Sequence, residues 1–124
     1  MKKLGRLLTA TLVATALTSG AQAVDYWTGG AGIEAREQAP EYNTAIEFFV
    51  QSGSYLSEIW VSLYDANGNV MLETMTEGPW FIADLDDGQY SVKGLRLSTG
   101  EVQSARFQVS GDRQHLVGLR YQNN

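Results

Sequence analysis

The sequence contains no cysteine, a single histidine and only two prolines among 124 residues. Without cysteine the chain has no disulfide scaffold, catalytic thiol or thiolate zinc site, and one histidine does not complete the usual histidine-based metal sites. We therefore expect neither a metal nor another cofactor. Basic residues are also scarce, since 9 Lys and Arg stand against 14 Asp and Glu. Nucleic acid is therefore not an expected partner, because phosphate contacts need clustered Lys and Arg.

A long hydrophobic run occurs only near the start of the chain. Residues 1–6 carry three positive charges, an apolar run of 11 residues follows at 7–17, and Ala21 and Ala23 occupy the two positions that a signal peptidase reads. Because a membrane-spanning helix needs about 20 apolar residues, no stable membrane insertion is expected. We predict a signal peptide at 1–23, cleavage after Ala23, and a periplasmic or secreted product with a formal charge of −8.

From residue 44 onward, apolar and polar residues alternate with a period of two, which is typical of strands with one buried face. Clusters containing Gly, Asn or Asp separate the apolar runs, as turns require. This pattern predicts an all-β fold, a seven-stranded antiparallel β-sandwich that occupies residues 44–124. The predicted strands are 44–50, 59–64, 70–76, 80–85, 89–97, 102–109 and 116–121.

Residues 24–43 form the least regular part of the exported chain. The three glycines at 29–32 are incompatible with a helix interior, where each costs about 1 kcal/mol. The same segment lacks the Lys and Ser or Thr of a phosphate-binding loop. Residues 33–38 favour one or two helical turns before Pro40. We predict an irregular, Gly-rich N-terminal segment with a short helix.

The first hairpin can be given a register from its turn. A two-residue type I′ turn at Asn67-Gly68 fixes which residues face each other. In this register the core side holds the pairs Leu63–Leu72 and Val61–Thr74, and the other side holds Trp60–Met75 and Tyr64–Met71.

A second hairpin is predicted to turn at 98–101. Its register pairs Tyr90 with Val109 and Val92 with Phe107 on the core side, and places Lys93 opposite Arg106. Beyond Gly94 the apolar residues change phase, which predicts a bulge or a bend at that glycine.

The outward side of the first hairpin is more apolar than a sandwich surface should be. One interpretation is an exposed patch that binds a glycan, a peptide or a protein. The other is a cover formed by the N-terminal segment, and it is favoured because it explains why an irregular segment carries several large apolar residues. The covering side chains would be Tyr26, Trp27, Ile33 and Tyr42, and the candidate contact surface would be Trp60, Tyr64, Met71, Met75 and Trp80.

Other candidate chemistry has simpler explanations. Residues 65–69 and 84–88 are similar to pieces of calcium loops, but neither continues to the bidentate Glu that completes such a loop. A Ser-His-Asp triad would have to use His115, and no nucleophile elbow accompanies it. We therefore predict no catalytic residue and no metal ligand.

Several short sequence motifs, called phrases below, resemble those of a known family. The sequence LDDGQYSV at 85–92 is similar to the L-x-x-G-x-Y-x-V signature of carboxypeptidase regulatory-like domains, although Asp stands where that pattern often has Pro. The chain also resembles small exported proteobacterial proteins made of one such domain, over about residues 26–121. The shared phrases lie at 29–32 with Glu34 and Arg36, and at 41–43, 55–57 and 78–81. The resemblance implies a transthyretin-like sandwich, export, and no catalysis. The strand pattern by itself also suits an immunoglobulin-like sandwich.

These observations favour a non-enzymatic exported β-sandwich that acts as a binding or structural module in the bacterial envelope, with an unidentified protein or glycan as partner. A small envelope hydrolase with paired carboxylates is the alternative, and it predicts a concave site with two acids of separated pKa. A proteinaceous inhibitor of cell-wall enzymes is a third hypothesis, and it would present a protruding loop such as 65–69.

Overall fold

The computed structural model describes residues 24–111 and 113–123, so the predicted signal peptide at 1–23 lies outside the described residues. The described chain has eight strands where seven were predicted, because the N-terminal segment adds one. In chain order the elements are β1 (Asp25–Gly29), α1 (Ile33–Glu37), β2 (Thr44–Val50), β3 (Ile59–Tyr64), β4 (Val70–Met75), β5 (Trp80–Asp84), β6 (Gly88–Arg96), β7 (Val102–Val109) and β8 (His115–Tyr121).

The strands form two four-stranded sheets. The first sheet has the order β1-β5-β2-β8, and the second has the order β4-β3-β6-β7. Neighbouring strands are antiparallel except β2 and β8, which pair in parallel. The expectation of a wholly antiparallel sandwich is therefore wrong for this one pair. Between β2 and β8 the chain visits the second sheet for β3 and β4, the first sheet for β5, and the second sheet again for β6 and β7. Parallel neighbours require such a long connection.

Both sheets bury one side in a single core, as the period of two in the sequence requires. The first sheet contributes Ile46, Phe48 and Phe81, and the second contributes Leu63 and Val92, each fully buried. Burial of apolar area at about 25 cal/mol per Å² is the main force that holds the layers together in a chain without disulfides. The prediction of an all-β fold is confirmed, and the two sheets share one core as in a sandwich.

The first hairpin follows the predicted register up to Leu63, which faces Leu72, while Trp60 faces Met75. The register then shifts, so Tyr64 faces Val70 and not Met71. The predicted type I′ turn is wrong, because that turn needs positive φ at both central residues and only Gly68 has it, at 85°. The loop closes around Asp65, whose carbonyl accepts from Gly68 N at 3.0 Å.

The second hairpin is shifted by two residues from the predicted register. Tyr90 faces Phe107 and Gly88 faces Val109, because the loop at 97–100 has four residues and not two. A shift of two residues keeps every side chain on its predicted face, and Val92 and Val109 are accordingly buried. The predicted bulge at Gly94 is also wrong, since the ladder continues through this residue.

Gly94 is required by the opposite sheet. The hydroxyl of Tyr121 crosses the core from β8 and donates to the Gly94 carbonyl at 2.7 Å. A Cβ atom at residue 94 would collide with that hydroxyl and would lie 2.9 Å from Ile59 Cγ2. The glycine therefore leaves the space in which the two layers make a hydrogen bond across the core.

Burial raises the pKa of the Tyr121 phenol above its ordinary value of 10.0, with Glu101 adding to the rise and Arg96 opposing it. Burial also raises the pKa of Tyr90, with the charges of Asp86 and Asp87 adding to the effect. Above pH 10 the unfolded chain loses these phenolic protons while the folded chain keeps them, so stability must fall. We expect the free energy of unfolding to decrease from about pH 10 upward.

Urea denaturation at a series of pH values from about 9 to about 11 measures this decrease. In Tyr121→Phe the decrease should be smaller, because one of the two phenols with a raised pKa is gone. An unchanged slope in that variant would contradict the assignment to Tyr121.

Candidate binding surface

The outward face of the second sheet carries an apolar row that crosses all four strands. The register places Met75 of β4 beside Trp60 of β3, Leu95 of β6 beside Trp60, and Val102 of β7 beside Leu95. Trp60 is 37% exposed, Met75 38% and Val102 49%, and Leu95 is half-buried between them. Since neighbouring strands lie about 4.8 Å apart, the row is roughly 14 Å long. We call these four residues the apolar row.

The N-terminal segment does not cover this row. Its strand β1 pairs with β5 at the edge of the first sheet, so that Trp27 faces Ile82. The ring of Tyr26 stacks on Phe81, with 5.8 Å between centroids, and Tyr42 lies beside Gln114. The prediction that residues 24–43 cover the Trp60 face is therefore wrong, and Tyr26 and Trp27 instead lie in the edge strand of the first sheet.

Two of the five predicted surface residues lie elsewhere. Met71 is the extra residue at the register shift between β3 and β4, and it packs against the core. Trp80 belongs to the first sheet, where it faces Gly29 and Glu47. Strand alternation predicts which residues of one strand share a face, but it does not predict which sheet receives the strand. Trp60, Tyr64 and Met75 remain on the outward face of the second sheet.

Polar and charged side chains occupy the rest of this face. Beside the apolar row, Ser62 donates to Glu73 at 2.9 Å, and Lys93 lies with its ammonium 5.8 Å from the ring centre of Tyr64. Lys93 faces Ser104 and Arg106 faces Ser91. The predicted opposition of Lys93 and Arg106 is therefore wrong, because the hairpin is shifted by two residues and the two cations are diagonal neighbours.

A shallow depression of about 440 Å³ lies between these cations. Its lining includes Tyr64, the hydroxyl residues Ser91 and Ser104, and both Lys93 and Arg106. Because it is open to solvent and lined by donors, it can accept an anionic or hydroxylated group but does not enclose a small molecule. The face as a whole is apolar at one end and cationic at the other.

Sequence reasoning missed Leu95 and Val102 as members of the surface. Their signal was present, since the apolar phase changes beyond Gly94. From the sequence alone, that change predicts a bulge or a bend at Gly94. In a strand without a bulge the same residues must point outward, and that is where the structure places Leu95, opposite Trp60.

A second cluster joins the phrases that carry the family resemblance. The guanidinium carbon of Arg36 lies 4.6 Å from the ring centre of Tyr55 and 5.6 Å from that of Trp80. Arg36 Nε also donates to the carbonyl of Gly30 at 3.3 Å. The Trp80 indole Nε1 is buried and has no hydrogen-bond partner within the part of the chain that the structure describes. The cluster connects the N-terminal segment to the first sheet.

Asn43, from another of these phrases, joins the segment to the sheet in a second place. Its side-chain amide donates to the carbonyl of Leu85 at 2.8 Å, and its side-chain oxygen accepts from Leu85 N at 3.0 Å. The side chain therefore replaces a missing strand neighbour at the end of β5. The Arg36 cluster and the Asn43 hydrogen bonds therefore give a structural role to the motifs that carry the family resemblance.

Replacing Arg36 with Ala should destabilise the protein by about 1–2 kcal/mol, because the cation–π contacts and one partly buried hydrogen bond are lost. Urea denaturation measures the effect, and Arg120→Ala on an exposed position of β8 is the matched control, expected within about 0.5 kcal/mol of wild type. Equal stability of the two variants would show that Arg36 does not fasten the segment.

The acid-rich turns have internal hydrogen bonds. Asp65 Oδ1 accepts from Asn67 N at 2.9 Å and from Asn69 N at 3.0 Å. These bonds, with the one from Asn69 first, lower the pKa of Asp65 below its ordinary value. A general acid needs the opposite shift. His115 also has a turn partner, since its Nε2 accepts from Ser110 N at 3.2 Å.

Residues 24–111 and 113–123 include both of the calcium-like turns. No group of three or more His, Cys, Asp or Glu in that part of the chain is arranged to hold an ion. The two calcium-like turns therefore have no such cluster within the described residues.

Comparison with protein-family models and with curated proteins found no match to this chain. Within the same described ranges, no helix has both the length and the hydrophobicity to cross a bilayer.

Proposed function

We propose that this protein is a non-enzymatic module of the bacterial envelope that binds its partner through the outward face of the second sheet. The observation that carries the proposal is the apolar row, in which Met75 and Trp60 are exposed side by side and Leu95 connects them to exposed Val102. Neighbouring exposed apolar residues on a small domain mark interaction surfaces more often than scattered ones do, and Trp is the residue most enriched at binding hot spots.

Export and the type of sandwich are proposed from the sequence. The signal-peptide pattern at 1–23 supports export to the periplasm or beyond, and the signature at 85–92 supports a carboxypeptidase regulatory-like, transthyretin-like sandwich. The turn at 65–69, which a proteinaceous inhibitor would present, is braced by its own hydrogen bonds. A hydrolase would need a general acid with a raised pKa, and the pKa of Asp65 in this turn is lowered.

Cosedimentation of the purified chain, residues 24–124, with isolated bacterial envelopes tests the proposal. Trp60→Ala should weaken cosedimentation at least about ten-fold, a typical loss for a hot-spot aromatic. Leu116→Ala is the matched control, since Leu116 is a still more exposed apolar residue, at 68%, on the first sheet. If the two variants sediment alike, the apolar row is not the contact surface.

A further inference from the structure

The charges on the proposed binding face differ from those of the chain. Acidic residues outnumber basic ones by 14 to 9 overall. On the outward positions of β3, β4, β6 and β7, however, two cations, Lys93 and Arg106, accompany one carboxylate, Glu73. In a net-negative protein, a local pair of cations favours anionic ligands at this place and disfavours them elsewhere.

The carboxylates near these cations already have hydrogen-bond donors. Glu73 accepts from Ser62 at 2.9 Å. Asp65 lines a depression next to Arg106, and its oxygens accept from the backbone and side chain of its own turn. The cations therefore have donors available for a ligand in the depression between them, where Ser91 and Ser104 add hydroxyl groups.

The aromatic residues on the same face are arranged for an extended ligand. Trp60 and Tyr64 lie four residues apart on β3 and point the same way, so they are separated by about 13 Å along the strand. An open face with two separated rings suits successive units of a chain, whereas a small molecule is usually enclosed by a deep pocket. The apolar faces of sugar rings stack on such rings, and their hydroxyl groups can bond Ser91 and Ser104.

An extended peptide is less well matched to this surface. Peptides that bind sheets obtain their affinity from main-chain hydrogen bonds to an unpaired edge strand. The apolar row and the cations lie on the face of the sheet, where the backbone groups of β3 and β6 are engaged with neighbouring strands on both sides.

We propose that this face binds an acidic polysaccharide, with sugar rings on Trp60 and Tyr64 and carboxylate groups at Lys93 and Arg106. The inference rests on the proposed function and adds the chemical class of the partner. Ion pairing at such exposed cations is screened by salt, so binding must weaken as ionic strength rises.

Titration of residues 24–124 with polygalacturonate, and with the same polymer converted to its methyl ester, tests the inference. The ester keeps the sugar rings and removes the charge. We expect the acidic polymer to bind about ten-fold more tightly than the ester at low salt. Lys93→Gln/Arg106→Gln should remove that preference, while Arg120→Gln on the first sheet should keep it.

The outcomes separate this inference from the proposed function. If wild type binds acid and ester equally, or binds neither, the inference is overturned. If Trp60→Ala then still loses envelope binding, the proposed function stands without it. If Trp60→Ala binds both polymers and envelopes as wild type does, both proposals fail.

Discussion

Replacing Gly94 with Ala is expected to destabilise the protein by about 3 kcal/mol. The added Cβ would meet the hydroxyl of Tyr121 and would lie 2.9 Å from Ile59 Cγ2 and 3.4 Å from Leu119 Cδ1. All three neighbours are buried, so none can rotate into solvent. The collision also displaces the Tyr121 hydroxyl from the Gly94 carbonyl, leaving two buried polar groups to find new partners.

Gly118→Ala is the matched control for this experiment. Gly118 lies in β8, only three residues from Tyr121, but it is exposed, and a Cβ there would approach only the ring edge of Phe49, at 3.1 Å. Urea denaturation should place this control within about 1 kcal/mol of wild type, since alanine is otherwise favoured over glycine in a strand. A stable Gly94→Ala variant would show that the two layers are not in close contact at this position.

Replacing Gly78 with Ala should have a comparable effect, about 3 kcal/mol, where the turn before β5 meets the end of β1. Here the added Cβ would meet backbone atoms, with Gly29 C at 2.5 Å and Gly29 Cα at 2.8 Å. A backbone cannot move aside as a side chain can. The turn before β5 and the end of β1 must therefore separate, which weakens the β1–β5 pairing.

Hydrogen exchange distinguishes this local effect from global loss of structure. In Gly78→Ala the ladder amides of β1 should exchange faster relative to those of β3 and β6, whose pairing does not involve Gly29. In Gly94→Ala all core strands should lose protection together. If β1 keeps its relative protection in Gly78→Ala, the contact with Gly29 does not hold the N-terminal strand.

Much of the second half of the fold could be predicted because local signals determine it. Alternation located all seven strands from residue 44 onward, and the Trp60–Met75 pairing was correct. The second hairpin was shifted because loop length, which sets register, is decided by backbone conformation at 97–100. Strand β1 was missed because Asp25–Gly29 is short and ends in glycine, and it is a strand only through pairing with β5, more than fifty residues later.

The residues of the candidate surface were likewise predicted correctly where one hairpin determines their positions, and wrongly where distant strands do. Trp60, Met75 and Tyr64 were assigned to one face because a single hairpin determines their positions. Trp80 was assigned there wrongly, because the sheet that β5 joins depends on β1 and β2. The sequence identified Lys93 and Arg106 but not their relative positions. A register error of two residues changes which side chains are neighbours, while each side chain stays on its predicted face of the sheet.

The parallel pairing of β2 with β8 has a consequence for how the chain acquires its structure. Strand β2 is strongly apolar, and on one side its hydrogen-bonding partner is the last strand of the described chain. Until β8 pairs with it, β2 has an unpaired edge, and such edges favour aggregation with other copies of the chain. Closing contacts between segments so far apart in sequence is slow. We therefore expect a nascent or truncated form that lacks β8 to aggregate more readily than the full chain, because one edge of β2 would be unpaired.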